Sequence, residues 1–102
     1  MKNDQWIVNV ERVLEPVLPL FIEMRWQDLL KLRKCIELSD YDSLKQLSHR
    51  LMGTPGAFGF SYIVELAREM EPAIEKKDLQ ELSNIAGKFE KFMRCYQVKI
   101  DN

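Results

Sequence analysis

The stretch Leu44-Lys45-Gln46-Leu47-Ser48-His49-Arg50-Leu51-Met52-Gly53-Thr54-Pro55-Gly56-Ala57-Phe58-Gly59-Phe60 decides what kind of fold this chain can adopt. Leu44, Leu47, Leu51, Pro55 and Phe58 recur at three- and four-residue spacing, the signature of one apolar helical stripe. At about 100° per residue these side chains stay within about 60° of Leu44, whereas His49 falls near 140°. The only histidine in the sequence therefore sits almost opposite the stripe and is expected to face solvent. A hydrogen-bonded core histidine does not fit that geometry.

The neighbours of His49 on this wheel are unusual. Gly53 falls near 180°, Gly56 near 120° and Phe60 near 160°. The surface beside the imidazole is thus expected to be bare of side chains, with the Phe60 ring exposed on one side and Met52 nearby. A glycine inside a helix costs about 0.5–1 kcal/mol relative to alanine. The reading that offsets this cost at Gly53 is access, because a partner's backbone could then approach the ring closely. Gly59 instead marks the end of the helix.

Working outward, residues 4–13 suit either a helical face or an extended strand. Pro16 can start a first long helix, with Leu18, Phe21, Ile22, Leu29, Leu32 and Ile36 inward, ending near Leu38. Asp40 is a plausible N-cap for a second helix from about Tyr41 to Phe60. Ser61 can cap a third, lined by Ile63, Leu66, Ala67, Met70 and Ile74, in which Pro72 should kink or weaken the second half. Asp78 can cap a fourth, with Leu82, Ile85, Ala86, Phe89, Phe92, Met93 and Tyr96 inward. No sustained alternating pattern signals a strand. Short loops between amphipathic helices imply an all-α, antiparallel, up-down-up-down four-helix bundle over residues 16–102, preceded by a short N-terminal segment at 1–15.

Composition narrows the function. With 15 basic and 16 acidic residues in 102, the formal net charge is -1. The charges are scattered, so no basic footprint for nucleic acid is present. No apolar run reaches the eighteen or so residues of a membrane span, and the N-terminus lacks the core of a secretory signal. Cys35 and Cys95 lie far apart inside helical patterns, with no metal-ligand spacing, and read as two buried reduced thiols. These features suit a cytoplasmic protein, and with one face left free a monomer is expected.

One exposed histidine restricts the chemistry. The sequence offers no serine or cysteine nucleophile with a second base, no phosphate-cradling Gly-rich loop with its lysine, and too few ligands for a metal. A neutral imidazole is nevertheless a competent nucleophile toward an activated phosphoryl group near pH 7. Such transfer needs in-line positioning and charge stabilisation, which a docked partner can bring with its own Mg²⁺.

The run His49-Arg50-Leu51-Met52-Gly53-Thr54-Pro55-Gly56-Ala57-Phe58-Gly59-Phe60 resembles the phosphoacceptor motif of histidine-containing phosphotransfer (HPt) domains, in which His-x-Leu-Lys-Gly-Ser/Thr/Ala is followed by small residues, an apolar residue and Gly. The resemblance extends over nearly the whole chain and implies a four-helix bundle with the motif on its second helix. It implies that His49 is the phosphoacceptor and that Gly53 admits the partner. Glu71 matches a position where many members place a Gln or Glu that hydrogen-bonds the imidazole, and Arg68, one turn earlier, could pair with it or with phosphate. Its alternative is an ordinary surface glutamate.

Met52 departs from the pattern, because members usually carry Lys there. Lys45, one turn before His49 and about 40° around the helix, could supply the cation instead. The resemblance implies a phosphocarrier of bacterial two-component phosphorelays with no cofactor and no kinase activity of its own. Its partners would be response-regulator receiver domains or a hybrid histidine kinase, docking over His49, Met52, Gly53, Gly56, Phe60 and Arg68. The competing expectation is an HPt-like interaction module that binds a receiver or kinase without transfer, which Met52 favours and which His49 and Gly53 oppose.

Overall fold

The computed structural model describes residues 6–101, in the order β1 (Ile7–Glu11), a 3-10 helix (Arg12–Val17), α1 (Leu18–Glu37), α2 (Tyr41–Ala57), α3 (Ser61–Glu75), α4 (Leu79–Cys95) and β2 (Gln97–Asp101). The helices bury most of the stripe positions read from the sequence, with Ile22, Ile36, Phe58 and Tyr96 half-buried and the side chain of Pro55 outside the described residues. Leu44, Leu47 and Leu51 from α2, Ile63, Leu66, Ala67, Met70 and Ile74 from α3, and the apolar face of α4 from Leu82 to Met93 are all buried. Each fully buried Leu, Ile or Phe side chain removes apolar surface worth about 1.5–3 kcal/mol from water, so these stripes drive the packing.

The helix ends follow local chemistry. Asp40 Oδ1 accepts the backbone N–H of Ser43 at 3.1 Å, and its other oxygen accepts the Ser43 hydroxyl at 2.7 Å. These two bonds hold the Asp40 carboxyl below the usual carboxylate range. Asp78 caps α4 in the same way through the N–H of Glu81. Helix α3 runs through Pro72 and stops at Glu75, with Lys77 in the left-handed region at φ 54°.

Three boundaries differ from the sequence reading. Helix α1 starts at Leu18, not at Pro16, which lies in the 3-10 segment. A start at Leu18 places Pro19 at the second helical position, where its missing N–H leaves no carbonyl unpaired. Helix α2 stops at Ala57, and Gly59 turns the chain at φ 81°. The turn makes Phe60, not Ser61, the N-cap residue of α3, with no side-chain cap bond.

The described residues also include two strands. Val8 and Val10 of β1 are fully buried, and β1 pairs in parallel with β2 in the register Ile7 to Gln97 through Glu11 to Asp101. The C-terminal strand was not expected. Five alternating residues are too few to read as a strand, and the partner lies at the other end of the chain. Of the two thiols expected inside, Cys35 is buried, with its pKa pushed up by burial, whereas Cys95 is exposed. Cys95 lies on the flank of α4 away from the Leu82–Met93 stripe, so helical phase accounts for its exposure.

Candidate functional site

His49 stands on α2 one residue after buried Ser48, whose hydroxyl donates to the Lys45 carbonyl at 3.0 Å, and two before buried Leu51. With those neighbours anchored inward, its imidazole is exposed, as helical phase requires. Gly53, one turn on, is exposed, and a Cβ built there meets nothing within 4 Å. The fold itself therefore does not need a glycine at this position. A Cβ at Gly56 would make only ordinary contact, 3.7 Å from Val64 Cγ2.

Gly59 differs in kind. Its positive φ is costly for any L side chain, and a Cβ there would run into the backbone carbonyl of Asn9 in β1. Strand β1 thus lies directly against the turn that ends the histidine helix.

That turn corrects the expectation for Phe60. Its ring is fully buried, 4.9 Å from Phe21, 5.5 Å from Tyr96 and 6.1 Å from Phe92 between centroids. Helical phase stops applying once α2 ends at Ala57, and the turn swings Phe60 from the histidine face into the core. It cannot serve as an exposed docking group. Phe58 is half-buried and stacks on Phe21 at 4.2 Å. Met52 is half-buried against the core, so it offers only part of its side chain to the surface.

The remaining predicted residues fall on the α3 side of His49. Lys45 and Ser48 of α2 line a groove with Glu71, Pro72 and Glu75 of α3. Lys45, Glu71 and Arg68 are all exposed. The groove brings Lys45 and Glu71 to one place. Among the described residues, no hydrogen bond joins Glu71 to His49 and no ion pair joins Arg68 to Glu71.

On the α1 side lies a cluster that sequence reading missed. Arg50 Nη2 donates to Asp28 Oδ1 at 2.5 Å, and Asp28 also lies 2.9 Å from Arg25 Nε. Arg25 is 2% exposed and Asp28 5% exposed. Among the described residues Arg25 Nη1 has no hydrogen-bond partner. Burial pulls the Arg25 guanidinium pKa down, partly opposed by Asp28, while Arg25 also rests 4.6 Å over the Phe21 ring. Removing one member of such a buried pair is far costlier than the pair is stabilising. The signal was present in α1, whose inward stripe skips from Ile22 to Leu29 and leaves positions 25 and 28 to a charged pair.

No group of three or more His, Cys, Asp or Glu side chains suited to a metal ion occurs among the described residues. No helix there is long and apolar enough to cross a membrane. No curated protein and no solved structure matches the chain. Residues 17–91 match the family model of the Hpt domain, a span that takes in α2, α3 and the exposed histidine but leaves β1 and β2 outside. A lone exposed imidazole beside a bare glycine face, on the second helix of a bundle matched over most of its length, places this chain in the Hpt domain family, whose members serve histidine phosphotransfer in phosphorelays.

Proposed function

We propose that this protein accepts a phosphoryl group on His49 from the aspartyl phosphate of a receiver domain and passes it to a second receiver. The observation that carries this reading is the pairing of an exposed imidazole with Gly53, a glycine that internal packing does not require. In the forward step the unprotonated ring nitrogen attacks phosphorus in line. The bond from phosphorus to the aspartyl oxygen breaks, and the carboxylate leaves with the electron pair. The ring's other nitrogen keeps its proton, for which Glu71 is the proposed acceptor across the α2–α3 groove. Lys45 is the proposed cation for the incoming phosphoryl oxygens in place of the missing lysine at position 52, with Arg68 at the edge of the docked partner.

The protein itself would need no cofactor, since the receiver brings the Mg²⁺. It would act as a carrier without kinase activity, as a cytoplasmic monomer. The same reading takes neighbouring helices as antiparallel, which the pairs Phe21 with Phe58 and Asp28 with Arg50 support.

Met52 favours a second reading, an interaction module without transfer, because the usual cation is replaced by a half-buried thioether. One experiment separates the two. Phosphorylated receivers are offered to the protein and to His49→Gln. Acid-labile, alkali-stable label lost in the variant supports transfer, whereas binding without label supports the module. An unchanged transfer rate in Lys45→Ala would remove Lys45 from the mechanism.

A further inference from the structure

The Arg25–Asp28–Arg50 cluster holds more positive charge than its own carboxylate can balance. Among the described residues it joins two guanidinium groups to one carboxylate, so one positive charge is in excess. Asp28 needs only one of the two as its counter-ion. Arg25 lies 2.9 Å from one carboxylate oxygen and has 2% of its side chain exposed. Arg50 reaches the other oxygen at 2.5 Å but keeps 45% of its side chain exposed. Burial holds the Arg25 guanidinium below its ordinary value, and the like charge of Arg50 adds to that. Excess charge beside buried groups is costly, so an arriving anion is what would complete this arrangement.

The place where an anion would arrive is next to it. Arg50 follows His49 directly, and on a helix surface consecutive Cβ atoms are about 5 Å apart, a gap shorter than an arginine side chain. Consecutive side chains do not ordinarily face each other. Contact therefore requires the Arg50 guanidinium to leave Asp28 and fold back across the exposed face of α2. Gly53 clears that path. With His49 set at zero, Gly53 falls near 40° and Arg50 near 100°, and helical side chains lean over the turn that precedes them. A side chain at position 53 would lie over the space between His49 and Arg50. That space is open, since a Cβ built there meets nothing within 4 Å. Lys45 falls near -40°, on the opposite flank of His49, where it lines the groove with Glu71 and Glu75.

We propose that Arg50 changes partner during the reaction: its guanidinium leaves Asp28 and donates to the phosphoryl oxygens on His49, while Arg25 stays behind and neutralises the buried carboxylate. The inference rests on the proposed transfer reading and deepens it. The covalent step is the same: the bond from the ring nitrogen to phosphorus forms, the bond to the receiver's aspartyl oxygen breaks, and that carboxylate takes the electron pair. Arg50 donates hydrogen bonds and keeps all its protons, because a guanidinium does not titrate near neutral pH. Its planar fork can hold two phosphoryl oxygens at once. With Lys45 on the other flank, the phosphoryl group meets a cation from each side, although position 52 supplies none. Arg50 is then a catalytic residue, and Arg25 and Asp28 are positioning residues.

The test uses the parent protein, Arg50→Gln, Arg50→Lys and His49→Gln, loaded either by phosphorylated receivers or by phosphoramidate, a small phosphoryl donor that needs no docking. Arg50→Gln leaves the buried Arg25–Asp28 contact in place, and circular dichroism checks the fold. Side-chain NMR follows the guanidinium resonances. Phosphorylation is expected to move the Arg50 resonance far more than that of Arg25, and to move neither in His49→Gln. In Arg50→Gln the kcat of transfer should fall about tenfold with KM changed less than about twofold, and Arg50→Lys should recover most of that loss. An Arg50 resonance that stays in place on phosphorylation overturns the inference while leaving transfer on His49 intact, as does transfer at the parental rate in Arg50→Gln. Arg50→Lys no better than Arg50→Gln also overturns it, since that marks a structural tether. Loading by phosphoramidate that moves the Arg50 resonance, when no receiver transfers, upholds the exchange of partners and defeats the relay reading.

Discussion

The exposed face of α2 around His49 and Gly53, and the Phe58–Phe60 turn that ends the helix, belong to one glycine-rich run but obey opposite rules. At Gly53 the fold imposes nothing, since a side chain there would meet only solvent. At Gly59 it imposes everything, through a positive φ and the carbonyl of Asn9. Two glycines six residues apart thus stand in different surroundings: one opens to solvent, and the other lets this molecule close on itself. A glycine in a motif shows its purpose only when the space around it is known.

The largest effect that would break this comparison is at Phe60. Phe60→Ala should cost about 3–5 kcal/mol, because it empties a site enclosed by Phe21, Phe92 and Tyr96. Thermal denaturation should show a fall of more than about 12 °C. A loss below about 1 kcal/mol would return Phe60 to the surface.

Gly59→Ala should follow at about 2 kcal/mol or more, since it adds left-handed strain to a collision with backbone that cannot move aside. Chemical denaturation checks this, and a neutral result would mean that β1 does not press on the turn. Gly53→Ala should go the other way, stabilising by about 0.5–1 kcal/mol through helix propensity, while phosphotransfer slows severalfold. Stability gained with transfer unchanged would show that the bare face is not needed for access.

The smallest effect concerns Asp40, whose pKa is lowered by its bonds to Ser43. A depressed carboxylate stabilises the fold above its unfolded pKa of about 3.9, and the contribution disappears as pH falls through the lower folded value. The melting temperatures of the parent and Asp40→Asn should therefore differ at pH 6 and converge below about pH 3. A gap that persists in acid would mean that the cap does not act through its charge.

Most of the bundle was legible because it follows from local periodicity. The stripes of α2, α3 and α4, the caps at Asp40 and Asp78, and the exposure of His49 depend only on residues within a few turns of one another. The errors share one cause. Phe60 was placed by extending a helical wheel beyond the point where the helix ends, and that end is set by Gly59 meeting a strand fifty residues away. Strand β2 escaped notice because it pairs with a strand at the opposite end of the chain. The Arg25–Asp28–Arg50 cluster appeared in α1 as charges without a reason, since their partner sits on another helix.

The sequence by itself determined that four amphipathic helices form and that His49 must point away from the core, because helical phase is a property of consecutive residues. Only the tertiary structure decided which glycine is structural and that Phe60 is interior. Those outcomes depend on which surfaces meet, and the contacts that decide them join residues far apart in the chain.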